Sequence, residues 1–152
     1  MGTTLTALLW SGSQLGLVHI GDSRAYLVRD GEVFQITQDH TLVQSLLADG
    51  KITAAEVASH PQRFMLLRAL GGGNSEPDLQ LRETRLADRY LLCSDGLHQV
   101  VMTDALARVL LTVSDPDRAA ADLVALAIDG GGPDNVSCIV ADVVAVEEPA
   151  RV

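Results

Sequence analysis

Three acids in this chain stand where an apolar run gives way to a turn. Tyr90-Leu91-Leu92-Cys93-Ser94-Asp95-Gly96-Leu97 stops on Asp95, and Val18-His19-Ile20-Gly21-Asp22-Ser23-Arg24 stops on Asp22. Gly131-Gly132-Pro133-Asp134-Asn135-Val136-Ser137 sets Asp134 just ahead of a third apolar run. A short apolar stretch bounded by turn residues predicts a buried strand, which puts a carboxylate on the rim of a sheet rather than in its core. Three such rims at one end of one sheet would bring together carboxylates that repel unless a proton or cation separates them. The chemistry to expect is a hard-metal site with oxygen ligands. Taken singly, each acid also fits an Asx-type turn that satisfies its own backbone, and Asp22 fits equally well as the ion-pair partner of Arg24.

Other reactive side chains read as structural. Ser94 lacks the Gly-x-Ser-x-Gly elbow and a histidine placed to activate it, so it is a turn hydroxyl. His40 and His60 belong to no His-x-His or His-Glu-x-x-His spacing. The two cysteines, Cys93 and Cys138, each lie inside an apolar run, where a thiol acts as a small buried hydrophobe. No disulfide framework is expected, and the cytoplasm is the expected compartment.

The elements that must position the acids follow from periodicity. Thr3 to Leu9 reads as a short helix that Ser11-Gly12-Ser13 breaks. Strands are expected over Gln14 to Ile20, Ala25 to Arg29 and Glu32 to Ile36, the last two joined by the tight-turn pair Asp30-Gly31. Thr41 to Asp49 carries Leu42, Leu46 and Leu47 at helical spacing and stops at Gly50, and Thr53-Ala54-Ala55-Glu56 is a capping box. His60-Pro61 ends that helix, the type of Phe64 to Leu70 stays open, and Leu79 and Leu81 alternate as a strand. Asp88-Arg89 turns the chain into the strand ending on Asp95. Thr103 to Leu111 and Asp117 to Ile128 read as helices, Val136 to Val144 as the last strand, and 147–152 as a tail. Strands, helical pair, strands, helical pair and strand make an α+β fold with helices covering antiparallel sheet.

The 152 residues, 47% hydrophobic, suit one domain with a true core. A net charge of −9 argues against nucleic acid or an anionic membrane as partner. No apolar stretch approaches a membrane span, and no basic segment precedes the first apolar residues as in a signal peptide. Met1, Gly2 and Thr6 match a myristoylation pattern, but they are better explained as the start of an amphipathic helix.

Taken in order, Met1-Gly2-Thr3-Thr4-Leu5, Gly21-Asp22-Ser23-Arg24, Asp39-His40, His60-Pro61-Gln62-Arg63, Arg68-Ala69-Leu70-Gly71, Ser94-Asp95-Gly96-Leu97 and Gly132-Pro133-Asp134-Asn135-Val136-Ser137 resemble the C-terminal part of the metal-dependent, phosphatase 2C-like Ser/Thr phosphatases in their bacterial form. The resemblance implies two stacked antiparallel β-sheets flanked by helices, with the family's N-terminal strands absent and the truncated domain occupying 1–146. It implies two Mn or Mg ions, with a third held weakly, and hydrolysis of phosphomonoesters by a metal-bound water. Carried across, Asp95 and Asp134 are metal ligands, Asp22 partners the looser ion, and Gly96 and Asn135 support the two turns. Gln44 to Arg63 resembles the family's flap, where Arg63 either meets substrate or, the preferred reading, holds the flap to the sheet by a salt bridge.

The family's earlier motifs are absent: a phosphate-clamping Arg, an Asn-Glu-Asp segment, an Asp-Gly-x-Gly-Gly stretch and a proton-donating His. No catalytic residue is therefore assigned, and weak or no turnover is expected. The implied partner is a phosphorylated protein, with self-association through an exposed sheet edge. The alternative is a non-catalytic pseudophosphatase that binds phosphoprotein.

Overall fold

The computed structural model of the chain describes residues 2–71, 73 and 75–145; the tail expected over 147–152 lies outside them. Two antiparallel sheets form the centre. The first has the order β1-β2-β5, from Leu5–Ser11, Gln14–Ile20 and Asp78–Glu83, and the second has the order β4-β3-β6-β7, from Glu32–Gln35, Arg24–Arg29, Arg89–Cys93 and Cys138–Asp142. Helices α1 (Leu42–Ala48) and α2 (Ala54–Val57) follow β4. Helices α3 (Asp95–His98), α4 (Thr103–Thr112) and α5 (Pro116–Asp129) lie between β6 and β7 in sequence.

β6 explains the layering. Its odd residues Leu91 and Cys93 face Leu97, Leu106, Leu110 and Leu123 of the helices, while Tyr90 meets Leu15, Leu17 and Leu27 between the sheets. A strand buried on both faces reads as a continuous apolar run instead of an alternating one. Trp10 adds an edge-on contact to Tyr90, with ring centroids 5.5 Å apart. In the β3–β4 hairpin, Asp30 and Gly31 take φ of 53° and 79°, the paired left-handed turn residues that match strand twist. The Glu56 carboxylate accepts from the Thr53 backbone N–H at 2.7 Å, as the capping pattern requires.

The first segment corrects the sequence reading. The helix expected over Thr3 to Leu9 is instead β1, paired with β2 from Leu5↔Ile20 to Ser11↔Gln14, and Ser11-Gly12-Ser13 ends the strand and makes the hairpin connection Gly12-Ser13 rather than a helix stop. Leu5, Leu8 and Leu9 satisfy a helical period, but Thr6, Leu8 and Trp10 also satisfy the period of two. Pairing with β2 decides between them. The undecided Phe64 to Leu70 stretch is neither helix nor strand: it leaves a turn at Phe64 and is bridged at Leu66 to Thr41 and at Leu70 to Thr3.

The outer face of the first sheet is bare. Leu9, Gly16 and Leu81 lie in one cross-strand row and Ala7, Val18 and Leu79 in the next. Leu9, Leu79 and Leu81 are 74%, 71% and 79% exposed, whereas α4 and α5 cover the corresponding face of the second sheet. In the first row Gly16 on the central strand stands between two exposed leucines, which leaves a dip at β2.

Candidate metal centre

β6, an inner strand, delivers Asp95 to the end of the second sheet's strands, and a helix begins there instead of the Asp-Gly turn expected from sequence. Ser94 is the N-cap, and Asp95 opens α3. The Asp95 carboxylate accepts from the Gly96 N–H at 3.0 Å and from the Gln99 side-chain amide, one turn on, at 3.1 Å. Asp134 is exposed and accepts from the Asn135 N–H at 2.7 Å.

The two acids are far apart in sequence, but their backbones are joined. The Ser94 N–H donates to the Ser137 carbonyl at 3.0 Å, the Ser137 N–H donates to Ser94 Oγ at 3.1 Å, and Ser94 Oγ donates to the Asn135 carbonyl at 3.3 Å. Gly96 packs directly on that carbonyl, in a space with no room for a Cβ. Ser94 is thus a turn hydroxyl, as its sequence context implies, and here it links the loops of two acids.

Asp22 lies in the turn between β2 and β3. His98 of α3 donates its Nε2–H to the Asp22 carbonyl at 2.8 Å, which ties that turn to the Asp95 helix. Burial, followed by the charges of Asp95 and Asp39, pushes the Asp22 carboxyl up to about 6. Burial and then Arg24 lower the pKa of His98, so it is a neutral donor at pH 7. The alternative partner for Asp22, Arg24, is committed elsewhere: its guanidinium clasps Asp39 with hydrogen bonds of 2.8 and 2.7 Å. This clamp and His98 are site features that residue spacing missed. The Asp39-His40 word marked the place without giving its role.

An acid whose pKa is raised in the folded state contributes stability that is complete below its unfolded value and lost as pH rises through about 6. Asp22→Asn removes the charge that burial penalises. It is expected to raise the melting temperature of the metal-free chain at pH 8 and to leave it unchanged near pH 3.5, where both forms are neutral. Thermal scans at the two pH values check this.

The two histidines are structural. His40 is buried, accepts from the Gly21 N–H at 3.2 Å through Nδ1, and hydrogen-bonds Asp78 at 3.0 Å through Nε2. His60 accepts from the Gln62 N–H at 3.1 Å. Arg63, expected to pair with the sheet, instead lies over the Phe64 ring at 4.2 Å and forms no ion pair among the described residues. Arg68 makes the anchoring bridge, donating to Asp78 at 2.9 Å. Burial raises the pKa of both thiols, that of Cys93 to about 12.

Carboxylate oxygens are the donors that Mn and Mg prefer, so the chemistry of Asp95, Asp134 and Asp22 suits such an ion. Their number and placement do not: among the described residues no three His, Cys, Asp or Glu side chains are grouped closely enough to hold a metal. These acids offer part of a ligand set, and no reaction step follows from them alone.

The sequence profile of protein phosphatase 2C matches residues 1–45. The chain is 56% identical over 144 residues to the serine/threonine protein phosphatase PstP of Mycobacterium tuberculosis, covering 95% of this chain and 28% of that one. The chain matches part of a protein phosphatase 2C-type domain. It is also 36% identical over 143 residues to the serine/threonine phosphatase stp of Listeria monocytogenes, covering 93% of this chain and 57% of the relative.

Among solved structures, that of the M. tuberculosis PstP/Ppp phosphatase superposes with a TM-score of 0.91 at 54% identity, covering 95% of this chain and 61% of that one. The PstP catalytic domain in complex with two manganese ions gives a TM-score of 0.87 at 52% identity, covering 95% and 60%. The chain thus spans less than two thirds of the relatives it matches. Both structures support the α+β fold of two antiparallel sheets with helices. No helix of the described residues is long and apolar enough to cross a membrane.

Proposed function

We propose that residues 1–146 carry the Asp95 and Asp134 portion of a metal-dependent protein-serine/threonine phosphatase domain acting on phosphoproteins of the cytoplasm. The junction at which Gly96 packs on the Asn135 carbonyl carries this reading, because it brings the loops of two acids thirty-nine positions apart in sequence together at one end of the β6–β7 pair. The manganese complex of PstP supports two divalent ions for the family. A bound divalent cation supplies charge neutralisation for hydrolysis of a phosphomonoester. This chain's contribution is to hold Asp95 through Gln99 and Gly96, Asp134 through Asn135, and the Asp22 turn against the Asp95 helix through His98.

Calorimetric titration with Mn is expected to give weak binding that Asp95→Ala or Asp134→Ala removes. Phosphate release from a phosphothreonine peptide with Mn is expected to be slow and lost in the same variants. Absence of Mn binding in the wild-type chain overturns the assignment of the two acids.

A non-catalytic phosphoprotein-binding module is the second reading, favoured by the absence of a three-ligand group among the described residues. Binding of the same peptide with no release above a chelated control selects it. The bare face and open edges of the first sheet support self-association as part of this proposal. The double variant Leu79→Gln, Leu81→Gln is expected to shift sedimentation toward monomer with under about 1 kcal/mol of lost stability, since neither side chain is buried.

A further inference from the structure

Cys93 and Cys138 are the only cysteines in the sequence, both are free thiols, and they stand opposite each other in the β6–β7 register. Backbone bonds at the two ends of the ladder fix which kind of pair they form. The Val143 N–H donates to the Asp88 carbonyl at 2.8 Å, and the Ser94 N–H donates to the Ser137 carbonyl at 3.0 Å. Even-numbered residues of β6 therefore sit in hydrogen-bonded pairs. Arg89–Asp142, Leu91–Val140 and Cys93–Cys138 are the intervening pairs, whose side chains approach most closely. In such pairs the Cα atoms are roughly 4.5 Å apart, inside the span of about 4.4–6.8 Å that a disulfide bridges. Both cysteines point to the helix side, in one core cluster.

We propose that Cys93 and Cys138 are an oxidisable pair that a peroxide closes into a cross-strand disulfide at the root of the Asp95 and Asp134 loops. Cys138 is half-buried and Cys93 is 5% exposed, so the peroxide meets Cys138 first. The Cys138 sulfur, giving up its proton, attacks one peroxide oxygen. The O–O bond breaks, and the leaving hydroxide takes the proton to become water. The Cys93 sulfur then displaces the hydroxyl from the sulfenic acid, forming the S–S bond and a second water. Two electrons pass from the two sulfurs to the peroxide. The bond joins the strands immediately before Ser94 and immediately after Ser137, the residues whose hydrogen bonds hold the two acids together. This inference rests on strand register and not on the phosphatase reading, so each can fail alone.

The test uses the whole reduced chain, free of metal, treated with graded hydrogen peroxide. It is then alkylated in denaturant, weighed intact and mapped by digestion. The expected product is a monomer lighter by two hydrogen atoms, with both cysteines protected together and a linked peptide pair that a dithiol separates. In the oxidised chain, exchange of the Ser94 amide is expected to slow about tenfold. Cys138→Ser is expected to leave Cys93 open to alkylation with no such mass loss. If that variant fails to fold, the wild-type peptide map decides by itself. Oxygen adducts on either cysteine without a link, disulfide-joined dimers, or two alkylated thiols in a chain whose methionines are oxidised would each overturn the proposal.

Discussion

Gly96→Ala is expected to lower the unfolding midpoint by roughly 4–12 °C, corresponding to about 2–3 kcal/mol of overpacking in a chain of this size. A Cβ at this position falls on the Asn135 carbonyl, a backbone atom that cannot rotate away, and also meets Val136 Cγ2 at 3.4 Å. The magnitude is informative because helix propensity points the other way: alanine inside a helix is favoured over glycine by about 0.8–1 kcal/mol. A net loss therefore measures the clash. The same substitution forces the Asp134 loop off the Asp95 helix, so Mn binding should weaken together with stability. Calorimetry on one preparation reads both, and unchanged stability would mean that the two loops are not in contact.

Arg89→Ala is expected to cost about 3–5 kcal/mol, read as a fall in the urea midpoint. The Arg89 guanidinium donates to both oxygens of Asp142 at 2.6 and 2.7 Å, to the Leu110 carbonyl at 3.1 Å, and to the Val113 and Ser114 carbonyls. Removing it strands a partly buried carboxylate and the carbonyls at the C-terminal end of α4, which have no partners within the helix. Arg118→Ala is the control. Its partner Asp122 lies one turn away, and the Arg118 side chain is 73% exposed, so the change should stay within about 0.5 kcal/mol.

What the sequence made legible depended on how local the cause was. β6 could be recognised because burial on both faces leaves an uninterrupted apolar run. The Asp30-Gly31 turn and the Thr53–Glu56 cap were recognisable because the required residues lie within a few positions. The Asp95 and Asp134 turns announced themselves as acids at the ends of apolar runs, but a helix starting at Asp95 did not, since Asp-Gly serves turn and helix start alike. β1 was illegible alone because its leucines fit two periods and its partner settles the choice. Arg24 with Asp39, and Arg29 with Asp88 fifty-nine residues away, are pairings of the folded chain with no signature in spacing.

The bare face of the first sheet affects the heat capacity of the monomer. Leucines that remain wet in the native state expose little new apolar surface on melting, so they add little to the heat-capacity increment that curves stability with temperature. For 152 residues that increment would ordinarily be about 2 kcal/mol/K. A sheet bare on one side brings it below that figure and flattens the stability curve. Cold then weakens this chain less than its length would suggest.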